Sequence, residues 1–297
     1  MGLTKIAWCD YTFNHVIGCA KVHTGCEHCY AEADMDKRRQ RVKWGLHGTR
    51  SRTSNSYWNG PRAWNKRAQA EGKRLRVFCA SLADVFEEWE GPIVDHTGQQ
   101  LWTDGRQYAP KFRAGADQGC RPATMHDLRV DLFRLIDATP CLDWLLLTKR
   151  PECVRTMWIP PDPPIPEYAK GRSFYRPNIW LGTSPCNQPT ADQSLPHLLK
   201  LHDLCPVLWA SYEPALGPVD WYPYLQRSLA LEEIPGHALN DGCSAGVKVG
   251  VQWIVCGGES TQPGAPARPF HIQWALDTLA ACRAARVPFF NKQFGSK

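Results

Sequence analysis

The chain has 297 residues, 43% of them hydrophobic, and a formal net charge of +6, enough apolar material for one large α/β domain or two smaller ones. The first twenty residues hold Lys5, Asp10, Asn14 and His15, and no apolar run approaches the length of a membrane span, so neither a signal peptide nor a membrane protein is expected and the compartment read from the sequence is the cytoplasm. Thirteen cysteines, an odd number and mostly single in apolar surroundings such as RVFCAS (Cys79) and WIVCGG (Cys256), read as buried thiols rather than a disulfide framework.

The first informative stretch is GCAKVHTGCEHCYAEA, Gly18 to Ala33, which sets Cys19, Cys26 and Cys29 at a C-x6-C-x2-C spacing just ahead of a helix expected to start near Tyr30. Three thiolates suit two structures. A four-iron cluster held by three cysteines leaves one iron open to chelate the amino and carboxylate groups of S-adenosylmethionine. A zinc site needs a fourth ligand, for which Cys9, His15, His23 and His28 are local candidates. The gap of six between the first two cysteines is long for a zinc knuckle, and no second CxxC follows.

From Met35 to Arg76 thirteen Lys or Arg stand against Asp36 and Glu71, with Trp44, Tyr57, Trp58 and Trp64 interleaved. A basic surface with aromatic faces suits phosphates and unpaired bases. Arg38, Arg39, Arg41, Lys43, Trp44, Trp58, Trp64 and Arg67 are accordingly candidate nucleic-acid contacts. The blander reading is a solvated pair of charged helices with the tryptophans packed beneath.

Short apolar runs follow at 75–84, 142–151, 178–184, 206–214, 252–260 and 287–295, each too short for a helix and too apolar for a half-exposed strand. Helical patterns at Ala123–Asp137 and Pro269–Arg286 alternate with them, predicting a parallel βα barrel or a doubly wound sheet. Residues 86–122 read as a hairpin-bearing insertion and 159–177 as a proline-rich loop. With no linker visible, a single barrel-like domain over 1–297 is expected, with the basic segment 35–76 inside it.

In such folds ligands gather at the carboxyl ends of the strands. That rule selects Ser81, Asp84, Lys149, Ser184, Glu213, Gly257, Gly258 and Glu259, with Lys292 within reach from the last run. Each has a bland counterpart: the glycines as packing punctuation, Lys149 as a helix closure, Glu213 as half of an internal salt bridge.

The segments KIAWCDYTFNHVIGCAKVHTGCEHCYAE, VFCASLADVFEE, WLLLTKRPE, NIWLGTS, YEPALGPVD, WIVCGGES with its later ARP, and VPFFNKQFG, in that order, resemble a phage and prophage family of three-cysteine-motif proteins. That family looks like a divergent branch of the radical S-adenosylmethionine enzymes. The resemblance implies a partial parallel (βα) barrel of radical-SAM type with the cluster loop after the first strand. Cys19, Cys26 and Cys29 would hold a 4Fe-4S cluster, and Ser81, Asp84, Ser184, Glu213 and Glu259 would surround S-adenosyl-L-methionine, with Gly257 and Gly258 beside them. It also implies an external electron donor, phage DNA as substrate, partner enzymes of phage DNA modification and a host-cytoplasmic location. The specific reaction implied is isomerisation of an amino-acid-substituted thymine from nitrogen to carbon attachment, for which Lys149 and Lys292 are the catalytic candidates. Against it stand a zinc-stapled nucleic-acid-binding protein without catalysis and a radical enzyme with a substrate other than DNA. The loop departs from the usual C-x3-C-x2-C, and His28 stands where an aromatic is usual.

Overall fold

The computed structural model describes residues 4–105, 107–109, 119–161, 174–225, 227–228 and 248–296. All six apolar runs form strands, preceded by one short strand. In chain order they are β1 (Tyr11–Thr12), β2 (Leu75–Cys79), β3 (Leu142–Thr148), β4 (Ile179–Thr183), β5 (Val207–Tyr212), β6 (Trp253–Gly257) and β7 (Phe289–Gln293). They share one seven-stranded sheet in that same order. Val77 lies opposite Trp144 and Ala210 opposite Ile254, in parallel register. A doubly wound sheet reverses its strand order at a switch point. An order that never reverses belongs to a singly wound sheet, so topology separates the two architectures left open by the sequence and is compatible with a partial parallel barrel.

The chain clusters into two compact units, Met1–Val22 with Cys26–Leu146, and His23–Gly25 with Leu147–Lys297. In the first, β1, β2 and β3 pair in turn. Helix α1 (Tyr30–Glu32) runs on as a wider π-helical turn over Ala33–Arg38. It is followed by α2 (Gly60–Ala70) and α3 (Met125–Asp137). A reciprocal cap between Thr124 and Asp127 starts α3, and Leu128, Leu132, Phe133 and Ile136 fall on its buried face at helical spacing. Each such side chain contributes about 1.5–3 kcal/mol by leaving water. The insertion carries the expected hairpin, Trp102–Thr103 pairing antiparallel with Tyr108–Ala109. Residue 106, residues 110–118 and residues 162–173 of the proline-rich stretch lie outside the described residues.

In the second unit β4, β5, β6 and β7 pair in parallel. Helix α4 (Gln188–Leu199) leads from β4 to β5, and α5 (Ile272–Ala285) from β6 to β7. α4 opens on a reciprocal cap between Asn187 and Thr190, and α5 closes on Arg286 in the left-handed conformation, φ 58°. β4, β5 and β6 are buried on both faces, which explains their unbroken apolar character, whereas β7 is only half-buried, with Lys292 exposed. No described helix is long and apolar enough to cross a membrane.

Packing between β4 and β5 is tight enough to specify a glycine. A Cβ at Gly182 would stand 2.5 Å from the Trp209 ring, whose Nε1 donates to the Trp180 carbonyl. Gly182→Ala is therefore expected to destabilise the protein by about 1–3 kcal/mol through overpacking, read as a lowered denaturant midpoint with an unchanged slope.

Candidate functional site

The cysteine loop is fixed first at its start. Gly18 has φ +117°, and a Cβ there would lie 2.5 Å from the Thr49 carbonyl, so this turn needs glycine. Next to Cys19, the Ala20 N–H donates to Glu87 Oε1 at 2.8 Å. Glu87 is held by a two-pronged pair with Arg50, Nε to Oε2 at 2.6 Å and Nη2 to Oε1 at 2.7 Å. Arg50 is 0% and Glu87 2% exposed, and the Trp89 ring covers the guanidinium at 3.9 Å. The Cys19 carbonyl itself accepts from Gly45 N.

Beyond Cys29, which precedes α1, the Tyr30 hydroxyl donates to the Ser81 carbonyl at 2.6 Å. Asn14, just past β1, ties the same turn: its Oδ1 accepts from Leu82 N at 2.8 Å and its Nδ2 donates to Ser81 Oγ at 3.2 Å. Asp84 is buried and accepts from Phe86 N. Ser81 and Asp84, expected at a cofactor, thus also order the turn after β2.

In the second unit the strand-end residues form a linked polar set. Ser184 Oγ donates to the Glu213 carbonyl at 2.9 Å. The Glu213 carboxylate accepts from Lys292 Nζ at 2.9 Å and from Ser211 Oγ at 3.1 Å. The internal salt bridge weighed for Glu213 exists, with Lys292 as its partner. A Cβ at Gly257 would lie 2.7 Å from Glu213 Oε1, and one at Gly258 2.7 Å from the Gly295 nitrogen. The space a phosphate-cradling glycine would leave open is filled by protein atoms, so both glycines are explained by packing, a correction to their reading as cofactor contacts.

Glu259 is 6% exposed, and its two oxygens receive Arg268: the backbone N and Nε at Oε2, both 3.0 Å, and Nη2 at Oε1, 2.6 Å. The remaining Nη1 donates to the Thr24 carbonyl at 3.0 Å. Thr24 Oγ1 lies 3.5 Å from Cys186 Sγ, and His23 Nδ1 accepts from Gly25 N at 3.1 Å. Burial, then Lys149 and Arg150, lower the His23 imidazole to about 4 against a hydrogen bond to the Ser184 backbone. Arg268 and Cys186 escaped the sequence reading; the signal for Arg268 was the ARP that follows CGGES.

Among the described residues no three His, Cys, Asp or Glu side chains are gathered closely enough to hold a metal ion, and no cysteine is in a disulfide. Cys19, Cys26 and Cys29 are half-buried and share one loop, a soft donor set suited to iron–sulfur or zinc, and metal ligands commonly close only on binding. Of the fourth ligands considered for zinc, His15 is wholly buried and Cys9 nearly so. Elsewhere the bland reading holds: burial raises the Cys79 thiol and pushes those of Cys205, Cys256 and Cys282 up to about 12.

The basic segment is less bare than its sequence. Asp34 takes Arg38 and Arg39, Glu32 takes Lys37, Asp36 takes Lys43, Glu71 takes Arg67 and Lys73, and Asp143 takes Arg74. Burial raises the Asp34 carboxyl, but its bonds from the two arginines prevail and hold it below the usual range. Arg41, Arg62, Lys66 and Arg76 have no ion pair among the described residues. Trp64 is 5% exposed and stacked on Tyr11 at 4.2 Å; Trp58 is 8% exposed, edge-on to Phe13 and beneath Arg52. Both are core residues, a correction to their reading as base-stacking platforms, because their faces are already covered. Trp44 is half-buried.

Glu87→Ala is expected to cost about 3–5 kcal/mol in chemical denaturation, because Arg50 would remain buried without a carboxylate. His15 supplies a pH dependence. Burial and then the charge of Arg129 lower its pKa from 6.5 to about 3, and neither ring nitrogen has a partner among the described residues. Above pH 6.5 both folded and unfolded forms are neutral and nothing is contributed; below it only the unfolded chain takes the proton, so stability falls by about 1.4 kcal/mol per pH unit until the folded form also titrates near 3. Removing that single proton uptake in His15→Phe should flatten the acid limb measured by unfolding at pH 6 down to pH 4, each value roughly inside this window.

No curated protein and no solved structure matches the chain. The family described as "Protein of unknown function (DUF5131)" matches residues 3–103 and 121–297. That match spans both compact units and includes the cysteine loop, the strand ends and Arg268, so the chain belongs to the DUF5131 family.

Proposed function

We propose that the protein is a radical S-adenosylmethionine enzyme whose 4Fe-4S cluster is held by Cys19, Cys26 and Cys29. The observation that carries this reading is a loop with three half-buried thiols whose backbone is gripped on either side of its centre, at Ala20 by Glu87 and at Thr24 by Arg268. Fixed backbone with accessible soft donors suits a bound group better than mere packing, which would bury the thiols. The chain-ordered parallel sheet supports a partial barrel, and in folds of that kind ligands bind at the carboxyl ends of strands.

A cluster held by Cys19, Cys26 and Cys29 and recharged by an external electron donor would supply the electron that cleaves a carbon–sulfur bond of the sulfonium cofactor, giving methionine and a 5′-deoxyadenosyl radical for hydrogen abstraction. The chain's own residues do the rest. Glu213, half of an ion pair with Lys292, can exchange that lysine for the ammonium of a cofactor and keep a cationic partner, or accept hydrogen bonds from ribose hydroxyls. Lys292 would then be released toward an anionic substrate. Lys149, close enough to bias His23, adds positive charge beside the loop.

DNA is the proposed substrate and the rearrangement of an amino-acid-substituted thymine the proposed reaction. Among the described residues of the basic segment, Arg41, Arg62, Lys66 and Arg76 are the exposed cations with no carboxylate partner, and they have charge to offer phosphates. Arg38 and Arg39 contribute less, since both share Asp34.

The test is anaerobic reconstitution. Iron and sulfide in cluster proportion, absorbance near the roughly 400 nm of a thiolate-bound cluster, and 5′-deoxyadenosine on reduction are expected, all lost in Cys26→Ala. Stoichiometric zinc with no cluster would instead establish the zinc-stapled alternative. For the substrate, reversing Arg41, Arg62 and Lys66 together should weaken DNA binding by at least tenfold at low salt and reduce its salt dependence. Unchanged binding would remove DNA from the proposal and leave a radical enzyme with another substrate.

A further inference from the structure

Resting on the reading of the three cysteines as cluster ligands, we propose that Arg268, locked by Glu259, is a positioning residue that sets the arm of the loop leading into Cys26. Six residues separate Cys19 from Cys26. Their last three, His23–Gly25, cluster with the second unit. Thr24 Oγ1 meets Cys186 Sγ, a Cβ on Gly25 would lie 3.4 Å from the Cys186 Cβ, and the Thr24 carbonyl accepts from Arg268 Nη1 at 3.0 Å.

Only the last of these holds the backbone by a charge-assisted hydrogen bond, and it is geometrically determined. The guanidinium is planar, and its Nε and Nη2 edge is committed to the two oxygens of Glu259. That fixes where Nη1 lies, and one of its N–H groups meets a carbonyl two residues ahead of Cys26. Glu259 cannot drift either. Its carboxylate also accepts the Arg268 backbone N, and the turn behind it is closed by Gly258 N to the Gln293 carbonyl and Ser296 N to the Glu259 carbonyl. The chain of restraint runs from the C-terminal strand through Glu259 and Arg268 to the peptide before Cys26. Glu259, expected as a cofactor contact, thereby also acts on the loop.

The role predicts a local effect that is visible without metal. In the metal-stripped full-length protein, alkylation of each cysteine by iodoacetamide is followed by peptide mass spectrometry, in wild type, Arg268→Gln, Arg268→Lys and Glu259→Gln. Losing one charge-assisted hydrogen bond should raise the Cys26 rate about tenfold in the glutamine variants, with the rates of Cys141 and Cys153 unchanged. Arg268→Lys keeps the charge but cannot serve Glu259 and Thr24 together, so its Cys26 rate should also rise. It is the variant that decides should Arg268→Gln expose every cysteine by unfolding. A Cys26 rate equal to wild type in folded Arg268→Lys and Glu259→Gln would overturn the proposal. Iron uptake by the wild-type protein is measured in parallel: no cluster together with a raised Cys26 rate in the variants refutes the enzymatic reading and leaves the positioning role standing.

Discussion

The buried pair of Arg50 and Glu87 is the interaction on which the first half of the molecule turns. An ion pair with no water access gains its attraction only at the cost of desolvating both partners, so its geometry has to be nearly complete. Here the carboxylate takes two prongs of the guanidinium and one backbone N–H, and an indole covers the cation's face. The strand Arg50–Arg52 pairs with Val16–Ile17 and Ile93–Val94, so the pair fastens the middle of the basic segment, the turn after β2 and the start of the cysteine loop at one point.

Arg268 and Glu259 repeat that arrangement in the second half. Each pair is a fork of arginine on glutamate, each glutamate is almost wholly buried, and each pair has one further bond to a peptide of the cysteine loop. In the first it is the glutamate that accepts a loop N–H; in the second it is the arginine that donates to a loop carbonyl. The polarity follows from what the peptide offers on that side, and one charged pair can serve either.

The strands were legible because burial on both faces leaves an unbroken apolar run, which few other elements produce at that length. Their order in the sheet was not, since short runs alternating with helices are compatible with singly and doubly wound sheets alike. The division into two units falls between Leu146 and Leu147, inside β3, where no linker composition could mark it. The site was legible at the level of which residues lie at strand ends, and illegible at the level of what they touch. Glu213 and Lys292 are 79 positions apart and Arg50 and Glu87 37 apart, so no local pattern pairs them. The basic segment is less bare than it reads for a related reason. Besides its own Asp36 and Glu71, its carboxylates come from Glu32 and Asp34, just upstream of the charge run, and from Glu87 and Asp143 far downstream. Trp58 and Trp64 alternate with charge as a nucleic-acid surface would, yet helical spacing equally turns them inward, and Phe13 and Tyr11 are there to meet them.

An apolar pair of similar volume in place of either arginine–glutamate pair would be about as stable or more so, because no charge would need to be desolvated. Such a replacement would fill the same space and satisfy the same core. It would leave the Ala20 N–H and the Thr24 carbonyl without these partners, and these are the two peptides that bracket the centre of the cysteine loop. Stability alone therefore gives no physical reason for two buried charges at each place. Direction does: a hydrogen bond from a rigid, doubly held group sets where a peptide lies to within a few tenths of an ångström, whereas packing tolerates sliding. A loop proposed to bring three thiols to one group would need the first kind of restraint.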